Sequence, residues 1–339
     1  MQHIILQQIK NMGDVVLSLP LADLIKATHP QALVSLLGLR YTAPVALLSK
    51  NIDHFIEWES IQALPETQKI QTFKSWQAST ILHLAKHKES ARLAKGAKIG
   101  MRVGTWQWFY HWFSCNKHLN QGRRYTKQHE TALNFALLKP LGIEHYPAFD
   151  EIPNLLHLTP PPLLEIFEQA LDPKRFNLIL HPGSNGHGRE WPVEHFQTLI
   201  ETIPTELFKI FLTGSATEAT RFETLIANCP QVSNMMGKMT LEQLIAFISR
   251  VQGLVGSGTG PLHLAGALGI KTLGLFPPRQ GISAHRWTPI GKHVTTLTYE
   301  RPKYQACFTC RESIGCHCMQ KIEVSRVLKI LLGWTDDAL

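Results

Sequence analysis

The chain alternates short apolar runs rich in Ile, Val and Leu with stretches of helical period, and it does so in two series. In the first, "HIILQQI" leads through a loop into "VVLSLPLADLIKA", and "ALVSLLGL", "HFIEW" and "STILHLA" follow with helical patterns between them. Uninterrupted apolar runs bounded by turns fit strands buried on both faces, and the helical stretches fit crossovers. The pattern therefore predicts an α/β fold with a parallel sheet covered on both sides.

Near residues 150–162 the alternation breaks. "FDEIPNLLHLTPPPLLE" holds four prolines and no strand period, which marks a linker. The second series then runs through "FNLILHPG", "LFKIFLTGS", "VSNMMG", "GLVGS" and "KTLGLF", each followed or separated by a helical pattern. A chain of 339 residues is long enough for two such cores. The expected organisation is two Rossmann-like, doubly wound domains, 1–155 and 156–322, facing a central cleft. A terminal helix over 323–339, "EVSRVLKILLGW", is positioned to pack back on the first domain. Ligands of doubly wound sheets sit beyond the carboxyl ends of the strands, so the cleft is the expected active site.

Charge is uneven. Residues 1–150 carry 17 Lys/Arg against 10 Asp/Glu, and Lys86 to Lys127 holds ten basic residues and one acid, Glu89. Such a block suits an anionic partner, or it is a solvated basic face. No apolar run approaches the ~20 residues needed to span a bilayer. The start "MQHIILQQIK" has the character of a first strand rather than a leader, so the chain is expected in the cytoplasm. Cys115 and Cys229 stand alone and fit packed thiols. Cys307, Cys310, Cys316 and Cys318 form "CFTCRESIGCHC", which offers four thiolates at a spacing tighter than the usual zinc knuckles.

The densest functional signal is "VGSGTGPLHLAGALG", Val255–Gly269. A strand feeds Gly258-Thr259-Gly260-Pro261, and a helix begins there. Pro suits a first helical turn, Gly permits close backbone approach, and free N–H groups with the helix dipole favour an anion. His263, one turn in, is placed to donate to a phosphate; a tight structural turn explains the same glycines. "LHPGSNGHGREWP" repeats the logic, with Ser184 and Asn185 as phosphate contacts and Arg189 as a bidentate cation. In "LTGSATE", Glu218 suits ribose hydroxyls or a favourable acid in a first helical turn. In "IKNMGDVVLSLP", Asp14 follows a glycine at a strand-to-helix turn and reads equally as a general base or an N-cap.

Together these motifs resemble glycosyltransferase family 9. "NMGDVVLSLP", "HETALNFALLKPLGI", "HPGS…REWP…F", "LTGSATE", "GKMTLEQL", "GSGTGPLHLAGALG" and the closing "C…C…CM..I" occur in that family's order over nearly the full length. The resemblance, to the ADP-heptose:lipopolysaccharide heptosyltransferases, implies a GT-B fold with acceptor on the first domain and nucleotide-sugar on the second. It implies inverting, metal-independent transfer of heptose from ADP-heptose to Kdo or heptose of the lipopolysaccharide inner core, with no cofactor required. Carried over by position, Asp14 is the base and Arg189 faces the diphosphate. Ser184 and Asn185 fall where small polar residues lie, and Glu218 and Met239 contact the nucleoside. Gly258, Thr259, Gly260 and His263 form the diphosphate loop. One position departs: some members carry Asp where this chain has Gly258.

The implied acceptor is anionic and lipid-linked, at the inner face of the cytoplasmic membrane. Lys95, Lys98, Arg123 and Arg124 are then candidates to hold it, and the aromatics of "WQWFYHWF" suit peripheral contact with an anionic bilayer or a core. Three other readings stand beside this one. One is a related GT-B transferase using another ADP- or UDP-sugar for envelope glycans. Another is a catalytically silent sugar-nucleotide binder. The last is a nucleic-acid binder, which leaves the second domain's phosphate loops unexplained.

Overall fold

The computed structural model describes residues 2–120, 122, 126, 128–184, 186, 188–279, 281–300 and 314–336. The chain divides into two compact units, Met1–Thr159 and Pro160–Leu339, with the boundary in the proline-rich stretch.

The first unit is built on β1 (His3–Gln8), β2 (Leu33–Gly38), β3 (His54–Glu57), β4 (Thr80–His83), β5 (Met101–Thr105) and β6 (Lys117–Leu119). They form one sheet in the order β3-β2-β1-β4-β5-β6. Every pairing is parallel. The second unit has β7 (Phe176–His181), β8 (Phe208–Leu212), β9 (Ser233–Asn234), β10 (Gly253–Gly256), β11 (Lys271–Phe276) and β12 (Val294–Thr298). Its order is β12-β11-β10-β7-β8-β9, again all parallel. Counted within each unit, both sheets are wound alike. The strand order reverses between β1 and β4 in one and between β7 and β10 in the other.

The central strands β1 and β7 are buried at every position, as expected for strands covered on both faces. Among the connecting helices are α1 (Met12–Val16), α2 (Lys88–Gly96), α3 (His111–Ser114), α4 (Val193–Thr202), α5 (Ala216–Arg221), α6 (Leu241–Ile248), α7 (Gly260–Ala267) and α8 (Val324–Asp336). Sequence reading placed a return onto the first domain within reach of α8. Its apolar stripe Val327, Leu331 and Trp334 is seated in the core of the second unit. There the Trp334 ring lies 5.9 Å from that of Phe176, and Lys271 Nζ donates to the Trp334 carbonyl at 2.9 Å. Cys115 and Cys229 are buried thiols, as expected. Cys316 and Cys318 are buried in the same core as α8, while Cys307 and Cys310 lie outside the described residues.

Near the carboxyl ends of β1, β4 and β5 the first core turns polar. Gln7 and His83 are register partners, and both are fully buried. His111 of α3, also fully buried, accepts the Thr105 N–H on Nδ1 at 3.1 Å, and its ring lies 5.3 Å from that of His83. Burial pushes His111 down to about 4 and His83 well below its ordinary 6.5. In the second unit burial likewise lowers His181 to about 4, against the opposing pull of the Glu218 charge. These rings stay neutral in the fold while the unfolded chain takes up protons below pH 6.5. Their contribution to stability is therefore constant above that pH and is lost as the pH drops towards 4. Urea denaturation at about pH 7.5 and about pH 5 checks this: the midpoint falls at the lower pH, and His111→Gln reduces the fall. An unchanged midpoint would remove these histidines as the source of acid sensitivity.

Candidate active site

Both strand-order reversals carry sequence-singled residues. In the first unit the loop after β1 opens α1. Asn11 is the N-cap by backbone conformation, so Asp14 is the third helical residue and not the cap. The Asn11 side chain makes no capping bond. Tyr41, just after β2, does that work: Met12 N–H donates to its hydroxyl at 3.2 Å, and the hydroxyl donates to Asn11 Oδ1 at 3.2 Å. Gln8 Nε2 donates to the Asp14 carbonyl at 3.2 Å, which ties the helix start back to β1. The Tyr41 phenol is raised, first by burial and then by the nearby Asp14 and Glu59 charges. Asp14 is thus a half-buried carboxylate at the carboxyl end of β1, on a short helix fixed at both sides.

In the second unit the loops after β7 and β10 meet. Ser257, closing β10, accepts the Trp191 N–H on Oγ at 3.2 Å. Trp191 is 2% exposed, and its Nε1 donates to the Ile322 carbonyl at 2.9 Å. Gly258 has φ +52°, a backbone that L side chains rarely adopt. Thr259 caps α7 by conformation, but its side chain makes no capping bond, and its buried Oγ1 has no partner. Gly260 and Pro261 open the helix, and His263 is buried one turn in, its ring 6.4 Å from that of Trp287. The α7 N-terminus thus combines a bare loop, the positive end of a helix dipole and a buried hydroxyl. An anion suits that combination.

Arg189 is buried, not a surface cation. Its neighbour Glu190, also buried, organises the loop. Glu190 Oε1 accepts the Ser184 N–H at 2.8 Å and the Ser184 hydroxyl at 2.9 Å, and Oε2 pairs with Arg221 at 2.8 Å. Glu218 is buried and completes a capping box: Oε2 accepts the Ser215 N–H at 2.8 Å and Ser215 Oγ accepts the Glu218 N–H at 3.2 Å. A Cβ at Gly183 would stand 1.9 Å from Glu218 Oε1, so only glycine fits there. Met239 is half-buried, directly before the α6 N-cap Thr240. Ser184, Arg189, Glu218, Met239, Gly258, Thr259, Gly260 and His263 all follow the carboxyl ends of the second sheet's strands. Asn185 lies outside the described residues.

The basic candidates divide. Lys95 and Lys98 are exposed at the end of α2, three or more residues before β5 begins. They sit together at the amino edge of the first sheet, opposite the edge that carries Asp14. Arg123 and Arg124 lie outside the described residues. Among the described residues no group of three or more His, Cys, Asp or Glu side chains is placed to hold a metal. Sequence reasoning missed Tyr41, Glu190 and Arg221. Arg221 is 31 residues from Glu190 and Tyr41 is 30 from Asn11, so no local motif shows either pairing.

The model of glycosyltransferase family 9 (heptosyltransferase) matches residues 67–316. The chain belongs to family 9. A Haemophilus influenzae protein described in general terms as a glycosyltransferase is 23% identical over 317 residues, covering 87% of this chain and 88% of that one. The ADP-heptose lipopolysaccharide heptosyltransferase II of E. coli superposes with a TM-score of 0.77 at 17% identity, over 100% of this chain and 99% of that one. The E. coli heptosyltransferase WaaC, solved with ADP, superposes with a TM-score of 0.71 at 16% identity, over 98% and 100%. The fold is therefore GT-B, and the family 9 chain is a glycosyltransferase.

Removing the Glu190 carboxylate strips two hydrogen bonds from Ser184 and leaves Arg221 unpaired. Glu190→Ala is expected to cost about 2–3 kcal/mol of stability, read as a lower urea midpoint for the second unit.

Proposed function

We propose that this family 9 enzyme transfers a heptose from ADP-heptose to Kdo or heptose of the lipopolysaccharide inner core, with inversion and without a metal ion. The observation that carries the donor half is the α7 N-terminus, where the buried Thr259 hydroxyl has no partner among the described residues and the loop that bears Arg189 is bonded to the neighbouring Ser257. The acceptor half rests on Asp14, a carboxylate at the strand reversal of the other sheet. The sugar and acceptor follow the relatives that the chain resembles.

In this reading Asp14 takes the proton of the acceptor hydroxyl. The freed oxygen forms a bond to the anomeric carbon from the face opposite the leaving group, and the bond to ADP breaks with its electron pair going to the diphosphate. Arg189, the N–H groups of Gly258, Thr259 and Gly260, the Thr259 hydroxyl and His263 stabilise that charge. These fixed donors do the work that a magnesium ion does in other transferases. Asn185 and Ser184 support the diphosphate, and Glu218 and Met239 the nucleoside. Glu218 Oε2 also holds the Ser215 N–H, so the same carboxylate would fix the loop and face the ribose. Lys95, Lys98, Arg123 and Arg124 are the notional anchors of the anionic acceptor. Because Lys95 and Lys98 lie at the far edge from Asp14, they suit its distal charges and not the reacting sugar. The enzyme works in the cytoplasm, peripherally bound at the inner face of the membrane. No helix among the described residues is long and apolar enough to cross a membrane.

Gly258 favours a second reading, another ADP- or UDP-sugar donor, because the loop lacks the acid that some members carry there. Donor profiling separates the two.

The test is release of ADP from ADP-heptose with and without a truncated core acceptor. Release depends on acceptor, survives chelation with EDTA, and falls by about 10²–10⁴ in Asp14→Ala while ADP affinity stays within about twofold. Full activity in Asp14→Ala would remove the base, and release only from a different nucleotide-sugar would favour the second reading.

A further inference from the structure

The segment from Trp106 to Phe113 holds four large aromatic side chains in solvent. Trp106, Phe109, Trp112 and Phe113 are 48%, 66%, 50% and 62% exposed. They form one connected knob: the Phe109 ring lies 5.3 Å from both Trp112 and Phe113, and Trp106 lies 6.0 Å from Trp112. The knob is held in place. Trp112 Nε1 donates to the Trp106 carbonyl at 2.9 Å, and Trp106 stacks on His118 at 4.2 Å. The fully buried His111 roots α3 beneath it. A fixed, contiguous apolar surface of this kind marks a partner.

Charge narrows the partner. Lys86 and Lys88 are exposed just after β4, at the same carboxyl edge. No Asp or Glu occurs between residues 90 and 129. A second copy of the chain would bring the same positive field and be repelled. Nucleic-acid bases need open ring faces for stacking. Here Phe109 meets Phe113 at 73° and Trp106 meets Trp112 at 69°, so the rings cover one another edge to face. Anionic lipid offers both halves of the match, an apolar layer for the rings and headgroup phosphates for the lysines.

We propose that this aromatic knob inserts into the interfacial layer of an anionic bilayer, with Lys86 and Lys88 against the headgroups. The insertion turns the carboxyl edge of the first sheet, and Asp14 with it, toward the lipid surface. The proposal rests on the lipid-linked acceptor of the function proposed above, and it moves the membrane contact from Lys95 and Lys98 to the opposite edge.

The full chain is sedimented with vesicles of phosphatidylglycerol and phosphatidylethanolamine, and separately with neutral phosphatidylcholine vesicles. The parent is expected to bind the anionic vesicles. Phe109→Ser with Phe113→Ser lowers that partition by at least about tenfold. Lys86→Ala with Lys88→Ala lowers it by about fivefold per charge at low salt, without effect on neutral vesicles. Both double variants keep the thermal midpoint and the turnover of a soluble, deacylated acceptor. As a reading that needs no variant, brominated acyl chains quench the parent's tryptophan emission. The proposal is overturned if the parent ignores anionic vesicles, binds them without quenching, or binds unchanged after the Phe double substitution. It is also overturned if the knob instead supports a dimer or single-stranded DNA binding that the substitution abolishes. If vesicle binding behaves as expected but the parent transfers nothing to the soluble acceptor, the proposed reaction fails and the docking surface stands.

Discussion

Everything functional in this molecule depends on where a parallel sheet reverses its strand order. Parallel strands buried on both faces leave no room for chemistry along their length, because each backbone group is paired and each side chain packed. At β1/β4 and β7/β10 the connections depart to opposite faces, and the loops above them part. Asp14 stands above one reversal. The loops carrying Ser184, Arg189 and Thr259 stand above the other. Each winding of the one topology thus carries one set of candidate residues.

The loops are held open by buried acids and not by glycine alone. Glu190 ties Ser184 and Arg221, while Glu218 ties Ser215 and fills the space that glycine leaves at position 183. These carboxylates need their partners, since a buried charge left alone is costly. The frame of these loops is accordingly built on paired carboxylates, Glu190 with Arg221 and Ser184, and Glu218 with Ser215.

The sequence made β1, β2, β7 and β11 legible, because each carries a dense cluster of Ile, Leu, Val or Phe. It hid β5, β6 and β12: "MRVGT", "KHL" and "VTTLT" are short or polar, and two of them are edge strands that need only one apolar neighbour. The glycine-rich turns were legible because backbone demands are local. The acid frame was not, because Glu190–Arg221 and Tyr41–Asn11 are contacts that only the fold creates. Lys95 and Lys98 read as part of one basic block with Lys86 and Lys88. The length of α2 separates them to opposite edges of the sheet, which linear charge density cannot reveal. The aromatic segment was ambiguous for the same reason: Tyr110 and His111 turn in while their neighbours turn out.

Trp191 joins three distant parts of the second unit: its own loop after β7, Ser257 after β10 through the backbone N–H, and the Ile322 carbonyl just before α8 through the indole N–H. With Val327, Leu331 and Trp334 also in that core, the unit has no complete interior until Val324–Asp336 has been synthesised. The sheet of the first unit is built wholly from strands within Met1–Thr159. On the ribosome the two halves therefore mature in order. The half bearing Asp14 can form its sheet during elongation. The half bearing the Gly258–Thr259 loop cannot close its core until Val324–Asp336 has emerged.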